Sequence, residues 1–192
     1  RRVETVFGTG ASDSWYCDVA GNNDLMPDLS YGRLPVTTTA QLRTIIDKIL
    51  AYETTSPAGS WQRRMVFFSD NLDLPHSSSD VFKKFNKELI AVIENLPPAV
   101  TYSKTEVYMA TSWYPPSDPE PPPLGVPYGT ARTQILAALN AGALFVNYTG
   151  HALYYKLANE SLLSNSDIAG LTNTDKYFLM HSCSSFSAAF HT

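Results

Sequence analysis

Two residues of this chain stand where reactive side chains are most useful. His151 follows Thr149-Gly150 at the end of the apolar run 143–148, and Cys183 follows His181-Ser182 at the end of the run 177–180. A cysteine acts as a nucleophile through its thiolate, which a neighbouring imidazole generates by taking the thiol proton and later returns to a leaving amine. The two residues are too far apart in sequence to meet locally. They meet only if their runs are neighbouring strands, which the short polar connection 153–175 permits. The backbone of Gly150, His151 and Ala152, at a strand end, also offers N–H groups to a developing oxyanion. Residue types alone leave a bland alternative open, since a lone cysteine is commonly a small buried hydrophobe.

The elements that must position this pair are dictated by periodicity. Short apolar runs bounded by turn residues read as buried parallel strands, here at 29–34, 64–69, 105–110, 143–148 and 177–180. Between them, Leu42, Ile45, Ile46, Ile49 and Leu50 recur at helical spacing after a run of threonines, which predicts an N-capped packing helix over 39–53. Phe82, Phe85, Leu89, Ile90 and Ile93 predict a second helix, N-capped by Asp80 and stopped by Pro97-Pro98. A third spans 130–141, closed by Gly142. The proline-rich stretch 114–128 reads as an extended surface loop. Strand–helix alternation of this kind implies an α/β fold with a mostly parallel sheet and helices on both faces. Ligands of such sheets sit beyond the strand carboxyl ends, where His151 and Cys183 fall.

Composition narrows the functional classes. The 192 residues are 44% hydrophobic and 17% charged, enough for a core and too ordered in pattern for disorder. A net charge of −4 without a basic cluster argues against nucleic-acid binding. No apolar run approaches the roughly 18 residues that span a bilayer. The chain opens without a hydrophobic signal core or an initiator Met, and reads as an excerpt of a longer product. Cys17 and Cys183 do not make a disulfide framework. In the Gly- and Asn-rich opening segment, Asp13, Asp18, Asp24 and Asp28 are candidate calcium ligands. Their spacing departs from the EF-hand loop, and Asx turns account for the same residues. His151, His181 and Cys183 are a further combination able to hold zinc, but no fourth ligand stands at zinc spacing.

Over 12–183 the sequence resembles the catalytic domain of the gingipain-type cysteine peptidases, relatives of caspases and legumains. The pieces that carry the resemblance are Ser12-Asp13-Ser14-Trp15-Tyr16, Tyr31-Gly32-Arg33, a helix ending Ala51-Tyr52-Glu53, Asn147-Tyr148-Thr149-Gly150-His151, and Leu171-Thr172-Asn173 leading to Cys183. The resemblance implies a caspase-like three-layer α/β/α fold, with residues 1–55 as the end of a first subdomain and 61–192 as a second, incomplete one bearing Cys and His. It implies a cysteine endopeptidase forming a thioester through Cys183, with His151 as general acid/base. Asp70 falls where the family places a carboxylate that orients the histidine, although a turn-capping role explains it equally well. Asp80 falls near a pocket acid of relatives that cleave after Arg, and His181 is packing or substrate-facing. No cofactor is required, and a structural calcium is left open only by the acids of the opening segment. Its substrates are polypeptides, and a secreted or cell-surface location within a longer multidomain chain is implied. Ala152, which replaces the family's Gly after the histidine, and the proline insertion 114–128 support the alternative of an inactive caspase-like scaffold or binding module of a larger surface protein, and Ser184-Ser185-Phe186 also departs from the family in lacking a Gly after the cysteine. His76 and His191 have no partner that sequence can name.

Overall fold

The structure, a computed structural model, describes residues 2–5, 8–11, 13, 16–20, 27–54, 56–71, 81–95, 101–109 and 127–185. The chain divides after Asp47 into two compact units. In the first, β1 (Arg2–Thr5) and β2 (Gly8–Ala11) pair antiparallel. The strand expected over 29–34 does not form. Leu29, Tyr31 and Leu34 are exposed in irregular backbone, so the alternation there buries nothing that a sheet would reward.

Helix α1 (Thr39–Thr54) forms where its periodicity puts it. Its start is a reciprocal capping box on the threonine just before the helix. The Gln41 N–H donates to Thr38 Oγ1 at 3.2 Å, and the Thr38 N–H donates to Gln41 Oε1 at 3.2 Å. The expectation of a packing helix fails: none of its residues is buried, and Ile46, Ile49 and Leu50 face solvent. Periodicity reports which face is apolar, not that something covers it.

The second unit holds a four-stranded sheet of β3 (Arg64–Ser69), β4 (Ser103–Tyr108), β5 (Phe145–Thr149) and β9 (Leu179–Cys183). The order is β4-β3-β5-β9 and every pairing is parallel. The central strands read RMVFFS and FVNYT because both of their faces are covered, which removes the apolar–polar alternation. One face packs on α3 (Tyr128–Ala141) through Ala131, Ile135 and Leu139 at fourfold spacing. These join Val66, Phe68, Val146 and Tyr148 in the larger core. The other face packs on α2 (Val81–Glu94), where Met65 and Phe67 meet Ile90, Leu89 and Ile93. This is the three-layer α/β/α arrangement expected.

In two places the elements around the reactive pair differ from expectation. The final strand runs to Cys183 rather than stopping at Met180, so the cysteine is a strand residue. The polar connection contains β6 (Ala152–Leu153), β7 (Lys156–Leu157) and β8 (Leu163–Ser164), a small antiparallel sheet, and then α4 (Asn165–Ala169). Two-residue strands are too short to show a period in sequence.

Candidate active site

Parallel register brings the candidate residues to one edge of the sheet. Ser69 of β3 pairs with Thr149 of β5, and Thr149 pairs with Cys183 of β9. Beyond the strand ends, the Asp70 N–H donates to the Thr149 carbonyl and the Gly150 N–H to the Cys183 carbonyl, both at 3.2 Å. Asp70 and His151 therefore leave adjacent strands side by side, and Cys183 ends the next strand along. His151 follows β5 and Cys183 ends the neighbouring β9, as the short connection allows.

His151 is held at several points. Its Nδ1 lies 2.9 Å from Asp70 Oδ2, and its backbone N–H donates to the same oxygen at 3.2 Å. The Asn71 N–H donates to Asp70 Oδ1 at 2.8 Å, so both carboxylate oxygens act as acceptors. The Asp70 side chain is 2% exposed, whereas that of His151 is 50% exposed. Burial raises the Asp70 carboxyl above its ordinary range, against the pull of hydrogen bonds from His151 and Asn71. An Nδ1–H donated to Asp70 leaves the Nε2 lone pair of His151 as the basic site. The ring is backed edge-on by Phe82 of α2, with centroids 5.1 Å apart and planes at 89°.

The turn that carries the histidine is fixed by its own carbonyl. His151 O accepts from Tyr148 Oη at 2.5 Å and from the Ala158 N–H at 2.8 Å. Burial, then the Asp70 charge, pushes the Tyr148 phenol far above its usual value, so it remains a donor. Gly150 is required here by space. A Cβ at this position would lie 2.6 Å from Tyr148 Oη and closer still to the Asp70 side chain, with φ at +156°.

The backbone N–H groups expected to serve an oxyanion are partly committed elsewhere. Those of Gly150 and His151 are bonded to Cys183 O and Asp70. Ala152 is buried in β6, opposite Leu157, and its φ is outside the left-handed region. The strain that Ala for Gly would cause at a positive φ is therefore absent.

Cys183 is a free, exposed thiol, whereas Cys17 is free and buried. His181 lies one pleat before Cys183, so alternation puts both on the same side of β9. Its Nδ1 is 2.6 Å from Asn147 Oδ1. Asn147 and Asn86 are fully buried and bonded to each other, and sequence reading missed the role of both. The signal was there: Asn86 sits on the core-facing stripe of α2 between Phe82 and Ile90, a polar residue at an apolar position.

Asp80, Asp24, His76 and His191 lie outside the described residues. Asp13 is engaged by Arg33, whose Nε donates to Oδ2 at 2.6 Å, and this pairing lowers its carboxyl below the ordinary range. Asp18 is half-buried. Asp28 accepts the N–H groups of Val19 and Ala20 at 2.8 Å each, contacts that reach back eight and nine residues and so pin a loop rather than form the Asx turn expected. Among the described residues no three His, Cys, Asp or Glu side chains gather as a metal site, so His151, His181 and Cys183 do not form a zinc set. No helix among them is long and apolar enough to cross a membrane.

Comparison with known proteins bears on the family and the fold. A family model described as Peptidase family C25 matches residues 2–192. Lys-gingipain W83 of Porphyromonas gingivalis is 27% identical over 176 residues, and Lys-gingipain of another strain of that species is 29% identical over 169. Each match covers 88% of this chain and 8% of the relative, so the chain spans under a tenth of their length. A crystal structure of the Arg-specific cysteine proteinase gingipain R is similar in fold, with a TM-score of 0.66 and 20% identity, over 94% of this chain and 37% of that one. The complex of the Porphyromonas gingivalis RgpB pro- and mature domains is similar with a TM-score of 0.58, over 90% of this chain.

Proposed function

Because this chain belongs to peptidase family C25, we propose that it is a cysteine endopeptidase in which Cys183 attacks peptide carbonyls and His151 moves the proton. The observation that carries the reading is the buried Asp70 carboxylate 2.9 Å from His151 Nδ1, with His151 just past β5 and an exposed free cysteine ending the neighbouring β9. A buried acceptor on Nδ1 orients the ring and leaves Nε2 as base. In this reading Nε2 takes the Cys183 proton as Sγ bonds to the substrate carbonyl carbon. The tetrahedral intermediate then collapses, His151 returns the proton to the departing amine, and a thioester remains on Cys183. Water, deprotonated by His151, hydrolyses that thioester and frees the carboxylic product and the thiol. With the N–H groups of Gly150 and His151 engaged, the Ala152 N–H keeps the oxyanion role. Asp80 keeps the assignment of a pocket acid that the family resemblance implied, and Asp18 and Asp24 keep that of calcium ligands, whereas both oxygens of Asp13 are taken by Arg33. A secreted or cell-surface location, within a longer protein whose subdomains divide here as residues 1–55 and 61–192, belongs to the same reading. The departure at Ala152 no longer weighs toward the inactive scaffold, because its φ is ordinary, whereas the missing Gly after Cys183 still does.

The test is to mix the chain with an activated peptidyl ester, quench with acid within seconds, and map adducts by mass spectrometry. The expected result is an acyl group on Cys183 and none on Cys17. Ester turnover with no acyl group on Cys183 would contradict the covalent mechanism.

A further inference from the structure

A directional set of hydrogen bonds crosses the sheet on the side that packs on α2, and it starts at a group that can only accept. The carbonyl of Phe68, in β3, receives Asn86 Nδ2 at 3.2 Å. That contact fixes which end of the Asn86 amide is which. Asn86 Oδ1 then accepts from Asn147 Nδ2 at 2.5 Å, and the same nitrogen donates its second hydrogen to Thr149 Oγ1 at 3.2 Å. The remaining atom of the Asn147 amide, Oδ1, faces His181 Nδ1 at 2.6 Å. An oxygen has no proton to give, so His181 must carry one on Nδ1. Both amides are fully buried, and the alternative tautomer would leave Asn147 Oδ1 without a donor.

The consequence lies at the other ring nitrogen. With Nδ1 committed, a neutral His181 presents Nε2 as a lone-pair acceptor. His181 is exposed, on the side of β9 that carries Cys183, and residues two apart on a strand are separated by roughly 6.6 Å. A peptide acylating Cys183 must pass within reach of it. We propose that His181 is a specificity-determining residue, fixed by Asn86 and Asn147 to accept a hydrogen bond from an N–H donor of the bound peptide. The proposal rests on the peptidase reading for its ligand, but the tautomer does not depend on it.

The experiment is nitrogen-15 NMR of the histidine rings of this chain carrying Cys183→Ala, so that bound peptides stay intact. In the free protein His181 is expected to show a protonated Nδ1 and a bare Nε2. Asn86→Leu is expected to let the Asn147 amide rotate and mix the tautomers. A protonated Nε2 and bare Nδ1 in the unsubstituted network would overturn the proposal regardless of activity. Addition of a saturating peptide is then expected to shift Nε2, and replacing single peptide N–H groups or side-chain donors with non-donors identifies the donor by loss of that shift. With intact Cys183, His181→Asn keeps a donor for Asn147 but, being shorter, places no acceptor where Nε2 stood. Its kcat/KM is expected to fall roughly tenfold for the parent peptide and not for the peptide lacking that donor. Peptide binding that leaves Nε2 unmoved sinks this proposal alone, while failure of every peptide to bind sinks the peptidase reading with it.

Discussion

Cys183→Ala is expected to abolish peptide hydrolysis, by on the order of 10⁵- to 10⁶-fold, while leaving the fold intact. The size reflects removal of the atom that forms the covalent intermediate, since loss of a nucleophile costs nearly as much as loss of the whole catalytic set. The intact fold reflects exposure: Cys183 is a free, solvent-facing thiol at the end of an edge strand among the described residues. Surface substitutions of this kind usually change stability by about 0.5 kcal/mol or less. Cys17→Ala gives the internal contrast. That thiol is buried in the other unit, so its loss is expected to lower stability and to leave turnover per folded molecule unchanged. Hydrolysis assayed alongside thermal unfolding separates the two. A Cys183→Ala chain that still cleaves peptides would remove the nucleophile assignment.

Asp70→Asn is expected to lower kcat by about 10³- to 10⁴-fold, the loss seen when an orienting carboxylate no longer holds the correct histidine tautomer. An amide at this position keeps one acceptor oxygen but must turn an NH₂ group toward one of two N–H donors, Asn71 or His151. The pH dependence of stability distinguishes this role from that of an ordinary ion pair. Burial raises the Asp70 carboxyl in the folded state. A raised folded value means that its stabilising contribution is complete below the unfolded carboxylate range and is lost as pH rises through the folded value. The unsubstituted chain therefore loses stability over that interval, and Asp70→Asn has no such titration. The difference in Tm is expected to move in favour of Asp70→Asn as pH rises from about 4 toward neutrality. A carboxylate held low by an ion pair gives the opposite slope, and that slope would show that Asp70 is not a desolvated orienting group.

The parts legible in sequence were those written as long, consistent patterns. The runs RMVFFS and FVNYT announced strands covered on both faces, and the helices α1, α2 and α3 announced themselves by spacing. His151 and Cys183 stood out because each came after an apolar run, and parallel pairing of β5 with β9 brings those run ends together. Asp70 was legible only as one of two equal readings, because its contact with His151 joins residues that leave different strands. Asn86 showed as a polar residue on an apolar stripe, but its partners, Phe68 and Asn147, lie on two other elements and were not legible. The segment 29–34 and the face of α1 erred in the other direction. Their apolar patterns are real, yet Leu34, Ile46 and Leu50 remain exposed, so a pattern of burial is not itself burial. Ala152 was read against a glycine elsewhere in the family, and only backbone geometry could show that an ordinary φ serves there.

The central claim is that His151 activates Cys183, and alkylation kinetics test it most directly. Iodoacetamide is reacted with this chain and with His151→Ala across pH 5 to about 9, a range bracketing the free-thiol value of about 8.5, and labelling of Cys183 and Cys17 is read by peptide mapping. The expected result is fast labelling of Cys183 below pH 7 that disappears in His151→Ala, with Cys17 slow throughout. Slow labelling of Cys183 below pH 7, or fast labelling that His151→Ala leaves unchanged, would contradict the pairing on which this mechanism depends.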